Sequence, residues 1–329
     1  MKTTPNFPLT LLALSLLAVA SILVALCSGS VNLHVTDLFL PFVTDQNSPL
    51  QQAVLFNLRL PRALTSFALG GLLALAGVLM QVLLRNPLAD PYILGSSGGA
   101  AVAALLAMLL GLSGLPVELA AASGAFITIF MVFALAHAEG SWSPTRLLLT
   151  GVVIAAGASA LVSLLLALGD ESRLRGMLFW LMGEINNTQR AMPLWLLMLS
   201  AGTVSCLLAR HLNVLSRGEL QAQNLGMNVR QMRIGLFVAS ALITSAAVTT
   251  AGSIGFIGLI TPHLSRLMVG ADHRRLAPAA ILTGGSLLTL ADTAARTLFA
   301  PRQLPVGALT ALIGVPVFLV LMLRRQTAR

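Results

Sequence analysis

The chain is almost without lysine: Lys2 is the only one in 329 residues. A phosphate-binding loop of the GxxxxGK[ST] type needs a lysine beside its glycines, so this chain cannot cradle a nucleotide in that way. Charge of either sign is scarce. Asp, Glu, Lys and Arg make up 9% of the residues, against about 25% in soluble globular domains. Cysteine is limited to Cys27 and Cys206, each inside an apolar run, so there is no disulfide framework and no pair with metal-ligand spacing. HExxH and GxSxG are missing, and His263 and His273 are the only histidines close in sequence. These absences argue against an intramembrane enzyme and give no reason to expect a cofactor. Few aromatics interleave the arginines, so the net charge of +9 is not a nucleic-acid footprint.

What is abundant is uninterrupted apolar sequence. Hydrophobic residues make up 57% of the chain, and the mean hydropathy is +0.89. A helix that crosses a bilayer needs about 20 such residues. Charge-free intervals run Lys2–Asp37, Arg62–Arg85, Asp90–Glu118, Glu118–Glu139, Arg146–Asp170, Arg190–Arg210, Arg233–Arg266, Arg275–Asp292 and Arg302–Arg324. The run from Leu9 to Ser28 is read as the first span. Arg233–Arg266 is too long for one, and Gly252, Gly255, Gly258 and Pro262 predict a break near Gly252 with a short, irregular span after it. The expectation is an all-α polytopic membrane protein, a single domain over 1–329 with ten transmembrane helices and both termini on one side. With those termini in the cytoplasm, thirteen of the twenty Lys and Arg fall inside, as the positive-inside rule prefers. The longer outside segments are then about 29–61 and 169–190.

Small residues crowd the spans, as in Gly70-Gly71, Ala76-Gly77, Gly98-Gly99 and Gly284-Gly285. In lipid they let helices approach closely, which is what holds a multi-helix bundle together. Ionisable groups inside the spans are few. Asp292 is the exception, and Arg296 lies one turn on, where an i,i+4 pair forms. A pore this poor in charge suits a bulky cargo not held by charge, with energy supplied from elsewhere.

The longest hydrophilic stretch is 210–233, RHLNVLSRGELQAQNLGMNVRQMR, with Arg210, Arg217, Glu219, Arg230 and Arg233. Leu215, Leu220 and Leu225 are read as the apolar face of a short amphipathic helix that stops at Gly226. Such a helix, placed in the cytoplasm, would offer water a small ordered surface for docking a partner; a solvated loop is the plainer alternative.

The chain resembles the FecCD family of permeases, the membrane subunits of binding-protein-dependent ABC importers for iron–siderophores, haem and vitamin B12. The resemblance runs from about Asn57 to Arg325. It is carried by Arg59-Leu60-Pro61-Arg62, Arg85-Asn86-Pro87-Leu88-Ala89-Asp90-Pro91, Phe179-Trp180-Leu181-Met182-Gly183 and Gly218-Glu219 with Leu225-Gly226. Gly255-Phe256-Ile257-Gly258, Thr261-Pro262-His263, Gly270-Ala271-Asp272-His273-Arg274, Ala291-Asp292 and Leu304-Pro305-Val306-Gly307 complete it.

The resemblance implies a vitamin B12 importer-like permease fold in a bacterial inner membrane. It also implies a second permease subunit, identical or paralogous, two copies of a cytoplasmic ATP-binding subunit, and a periplasmic substrate-binding protein. By position, Arg217, Gly218, Glu219, Leu225 and Gly226 would couple to the ATPase. Arg59, Arg62 and Arg296 would receive the binding protein, since guanidinium groups pair bidentately with carboxylates; capping of span ends is the plainer role. Ser143, Pro144 and Thr145 would form the cytoplasmic gate, and the fifth and tenth spans, roughly 147–168 and 306–323, would face the pore. An iron–siderophore is the expected cargo, with haem or a corrinoid as the alternative. A secondary transporter acting alone and an ABC exporter domain are the competing classes; the long cytoplasmic helices typical of exporters are not evident here.

Overall fold

The computed structural model describes residues 7–29, 49–137, 144–185 and 191–326. Among them the regular structure is helical throughout: α1 (Phe7–Cys27), α2 (Pro49–Ala53), α3 (Leu60–Leu83), α4 (Ser96–Leu109), α5 (Leu115–His137), α6 (Pro144–Ala167) and α7 (Glu171–Met182). Then come α8 (Ala191–Leu207), α9 (Ala209–Arg217), α10 (Glu219–Asn224), α11 (Val229–Ala251), α12 (Ile257–Val269), α13 (His273–Thr297) and α14 (Val306–Gln326). A π-helical stretch, Val54–Arg59, joins α2 to α3, and a 3-10 turn, Pro91–Leu94, precedes α4.

Each of the nine charge-free intervals contains a helix, and Arg233–Arg266 contains two. Six stretches are long and apolar enough to cross a membrane: α1, Gln51–Leu83, α5, α6, α11 and α13. A seventh crossing counts α8 and α9 together, although they are bent by 63°. The helices α4 and α14 are shorter apolar segments, so the structure shows six or seven crossings by length and composition where ten were expected. The break expected near Gly252 is present, because α11 stops at Ala251 and α12 starts at Ile257. Gly252 has φ +68, and a Cβ there would lie 2.1 Å from the Trp180 carbonyl oxygen, so both its backbone and its neighbour demand glycine.

The bundle is built around α3. Its side chains from Phe67 to Leu83 are buried, and α13, α11, α8 and α12 surround it. Glycines set the distances. A Cβ on Gly70 would meet the Gly284 carbonyl oxygen at 2.2 Å, and one on Gly77 would meet that of Gly258 at 1.8 Å. The α3 backbone therefore touches the backbones of α13 and α12 directly, the close packing that drives helix association in lipid. Phe67 stacks on Trp195 with ring centroids 5.5 Å apart, and Trp195 Nε1 donates to the Leu64 carbonyl at 3.0 Å, fastening α8 to the same hub.

Candidate functional site

Polar groups gather at the two ends of this bundle. At one end lies the 210–233 stretch. It does not form one amphipathic helix. Gly218 (φ 137, ψ 155) separates α9 from α10. Leu212 and Leu215 are buried, whereas Leu220 and Leu225 are 75% and 72% exposed, so the three leucines proposed as one face do not share it. Residues five apart on a helix are turned by about 140° from one another, and the glycine adds a break.

The segment is nonetheless firmly seated. Arg233, buried on α11, reaches Glu219 with both terminal nitrogens, at 3.2 and 2.8 Å. Asn213 on α9 bonds to Asp272 and His273, where α13 begins. Bonds from Asn213 first, then from the Arg274 backbone N–H, hold the Asp272 carboxyl below the usual carboxylate range. With Glu219 paired to Arg233, the exposed residues of the segment include Arg210, Arg217 and Arg230, the amides of Gln221, Gln223 and Asn224, and the two leucines. Gly226 closes α10 with φ +77.

At the opposite end, Asp292 is 1% exposed and holds two arginines. Arg62 pairs with it bidentately, Nε to Oδ2 at 3.0 Å and Nη2 to Oδ1 at 2.9 Å. Arg296 Nε reaches Oδ2 at 3.3 Å, the expected i,i+4 pair. Arg59 lies beside them, buried, with Nη1 donating to the Leu26 carbonyl at 2.8 Å, while Arg296 Nη2 approaches that of Ala25 at 3.5 Å. The three arginines singled out in the sequence therefore lie together: Arg62 and Arg296 share one carboxylate, and Arg59 and Arg296 reach the last turn of α1, whose carbonyls need donors. Two of them act as span-end caps, and the cluster still carries three guanidinium groups against one Asp292.

The proposed gate is only partly in view. Ser143 lies outside the described residues, Pro144 is the first residue of α6, and Thr145 is exposed. The helices α6 and α14, assigned to the pore, keep wide apolar faces uncovered, including Val153, Leu164, Leu312 and Leu319. Between them and the hub runs the 252–256 break. Ser253 Oγ meets Ser97 Oγ at 2.5 Å, the Ile254 N–H donates to the Tyr92 hydroxyl at 3.1 Å, and the Glu184 N–H donates to the Ala251 carbonyl at 2.9 Å. The last two bonds satisfy backbone groups that unwinding leaves open, as non-helical chain in a membrane requires. Arg266, which has no reason to be a substrate ligand, donates from Nη2 to Gln81 Oε1 at 2.9 Å and locks α12 to α3. Among the described residues no three His, Cys, Asp or Glu side chains converge as metal ligands.

Sequence reasoning missed the Arg62–Asp292 and Glu219–Arg233 pairs and the Asn213 contacts. One signal was available: Asp272 after Gly270 is a helix N-cap in the making.

Comparison with known proteins places this architecture. The FecCD transport family matches residues 16–324. The hemin transport system permease protein HmuU of Yersinia pestis is 42% identical over 324 residues, 94% of this chain and 95% of its own. The vitamin B12 import system permease protein BtuC of Escherichia coli O127:H6 is 38% identical, covering 95% of this chain and 94% of its own. A metal-chelate type ABC transporter solved in an inward-facing conformation superposes with a TM-score of 0.83 at 35% identity, over 96% of this chain and 99% of that one. The chain is a member of the FecCD transport family and has the fold of an ABC importer permease.

Proposed function

We propose that this chain forms half of the pore of a binding-protein-dependent importer that passes a metal chelate, haem first, across a bacterial inner membrane. ATP is hydrolysed on a separate subunit, two copies of which dock on two permeases. Both chain termini and the 210–233 segment face the cytoplasm, and the arginine cluster faces the periplasm. The observation that carries this reading is the seated 210–233 segment, which holds its one acid in a pair with Arg233 and leaves Leu220, Leu225 and three arginines exposed. An ATPase groove with an apolar pocket and an acidic rim fits that face. Glu219 and Gly218 serve coupling by setting the position of α10, and Arg217, Leu225 and Gly226 by touching the partner.

At the other end Arg59, Arg62 and Arg296 receive glutamates of the binding protein. Asp292 keeps the guanidinium groups oriented, and their excess charge attracts a carboxylate. Closure of the ATPase dimer would push on α10 and shift the pore between its two open states, as differential binding to two conformations allows. The likeness to a hemin permease favours haem; an iron–siderophore is the second reading, favoured by the likeness to a metal-chelate transporter. The test is uptake by cells lacking this chain, offered labelled haem, iron on several siderophores and cobalamin, with and without the chain restored. Loss and rescue for haem alone supports the first reading, and for a siderophore the second. Undiminished uptake of all three classes in a strain with no other such permease overturns both.

A further inference from the structure

Asn213 ties α9 to the first residues of α13. Its Oδ1 accepts from the His273 backbone N–H at 2.9 Å and lies 2.6 Å from His273 Nδ1. Its Nδ2 donates to Asp272 Oδ1 at 2.7 Å. A carboxylate only accepts, so the amide nitrogen must face Asp272, and Oδ1 must face the imidazole. His273 Nδ1 then carries the ring proton. The histidine is 3% exposed, so its side chain is fixed by packing as well as by this bond. One side chain from the 210–233 segment thus holds both the cap and the first buried residue of α13.

From that latch, α13 runs unbroken to Thr297. Asp272 and Arg296 are 24 positions apart, about 36 Å at the helical rise of 1.5 Å per residue. Along the way Gly284 and Gly285 press on the backbone of Gly70 and the ring of Phe67, leaving no slack between α13 and α3. At the far end Asp292 binds Arg62 of α3, so the two helices are fastened together beside the arginine cluster. The segment's other anchor, Glu219 to Arg233, feeds α11, which ends at Ala251 and carries neither Asp292 nor any arginine of the cluster. Of the two helices to which these side-chain bonds tie the segment, α13 is the one that itself carries Asp292 and Arg296, and its tie is Asn213.

We propose that Asn213 is a positioning residue of the transport cycle: it transfers displacement of α9 into α13, and α13 carries that displacement to the arginine cluster at the opposite end of the bundle. The inference rests on the assignment of 210–233 to ATPase docking. It makes the state of the ATPase legible at the binding-protein face through one amide.

The test uses the full permease purified with its ATPase in lipid nanodiscs. An environment-sensitive fluorophore is attached at Leu298→Cys, an exposed position just past α13, in a Cys27→Ser, Cys206→Ser background. The emission change on trapping with ATP and vanadate is read beside basal ATP hydrolysis. In the parent, trapping shifts the emission. Asn213→Ala abolishes the shift while hydrolysis stays within about twofold, because coupling between sites is a separate free energy from activity at either. Asn213→Asp alone sets two carboxylates against each other and also abolishes it. Asn213→Asp with Asp272→Asn exchanges donor and acceptor, restores the bond and restores the shift. A full shift in Asn213→Ala overturns the proposal. So does a parent that hydrolyses ATP without any shift, or an exchanged pair that fails to restore it. A complex with no ATPase attached overturns the docking assignment instead, and this proposal falls with it.

Discussion

The helices α3 and α6 are each 24 residues long, and the spans they supply are nearly equal in hydropathy, 2.0 for Gln51–Leu83 and 2.2 for Thr145–Ala167. Their surroundings are opposite. The apolar window of the first is 94% buried inside the chain and that of the second 17%. Hydropathy cannot set this contrast, because the two spans are nearly equal in it and in lipid a leucine is equally at home against tails or against another helix. The difference lies in what meets the glycines. Gly70 and Gly77 are pressed on by other backbones, while Gly157 of α6 has nothing within 4 Å of where its Cβ would stand. The bundle is complete around α3 and open around α6, the face assigned to the pore.

The sharpest way to break that contrast is one substitution made in both helices. Gly77→Val should cost more than about 3 kcal/mol, beyond the usual 1–3 for overpacking, because its Cβ faces a rigid carbonyl. Gly157→Val should leave the monomer folded. Size-exclusion profiles of detergent-extracted protein distinguish them, and equal profiles would refute the distinction. Next in size, Asp292→Ala leaves Arg62 and Arg296 without their buried carboxylate and should cost about 3–5 kcal/mol, read as a lowered Tm. A smaller effect is expected where nothing in the chain covers the residue. Leu220→Asp should leave Tm unchanged but weaken ATPase association about tenfold or more, since burying a leucine is worth about 1.5–3 kcal/mol; unaltered affinity would remove Leu220 from the docking face.

The smallest effect concerns Asp272. Its carboxyl is held below the ordinary range, so its contribution is complete above an unfolded value of about 3.9 and is lost only as pH falls through the lower folded one. The Tm difference between the parent and Asp272→Ala should therefore stay constant from pH 7 to 5 and shrink only in more acid solution.

Much of this architecture was legible because charge punctuates it. Arg85, Asp90 and Asp170 sit between helices, Glu118 lies in the first turn of α5, and Gly252 with Gly255 announced the break. The 210–233 segment was found for the same reason, but its interior was misread. Leucines spaced by five were taken for one face, and Gly218 was not given its weight as a breaker. The long-range pairs were not legible. Arg62 and Asp292 are 230 residues apart, and nothing local to either names the other. The arginines were picked out by resemblance alone; that two of them share one buried carboxylate and two cap α1 is a property of how α1, α3 and α13 meet.

The arginines exposed on the 210–233 segment have a practical consequence. With Lys2 as the only lysine, this face contains no primary amine. To an amine-reactive crosslinker it is silent, so lysine-to-lysine crosslinks recovered from an assembled importer would reach this chain only at Lys2, outside this face. Reagents directed at guanidinium groups or carboxylates would be needed to map this chain's share of the interface.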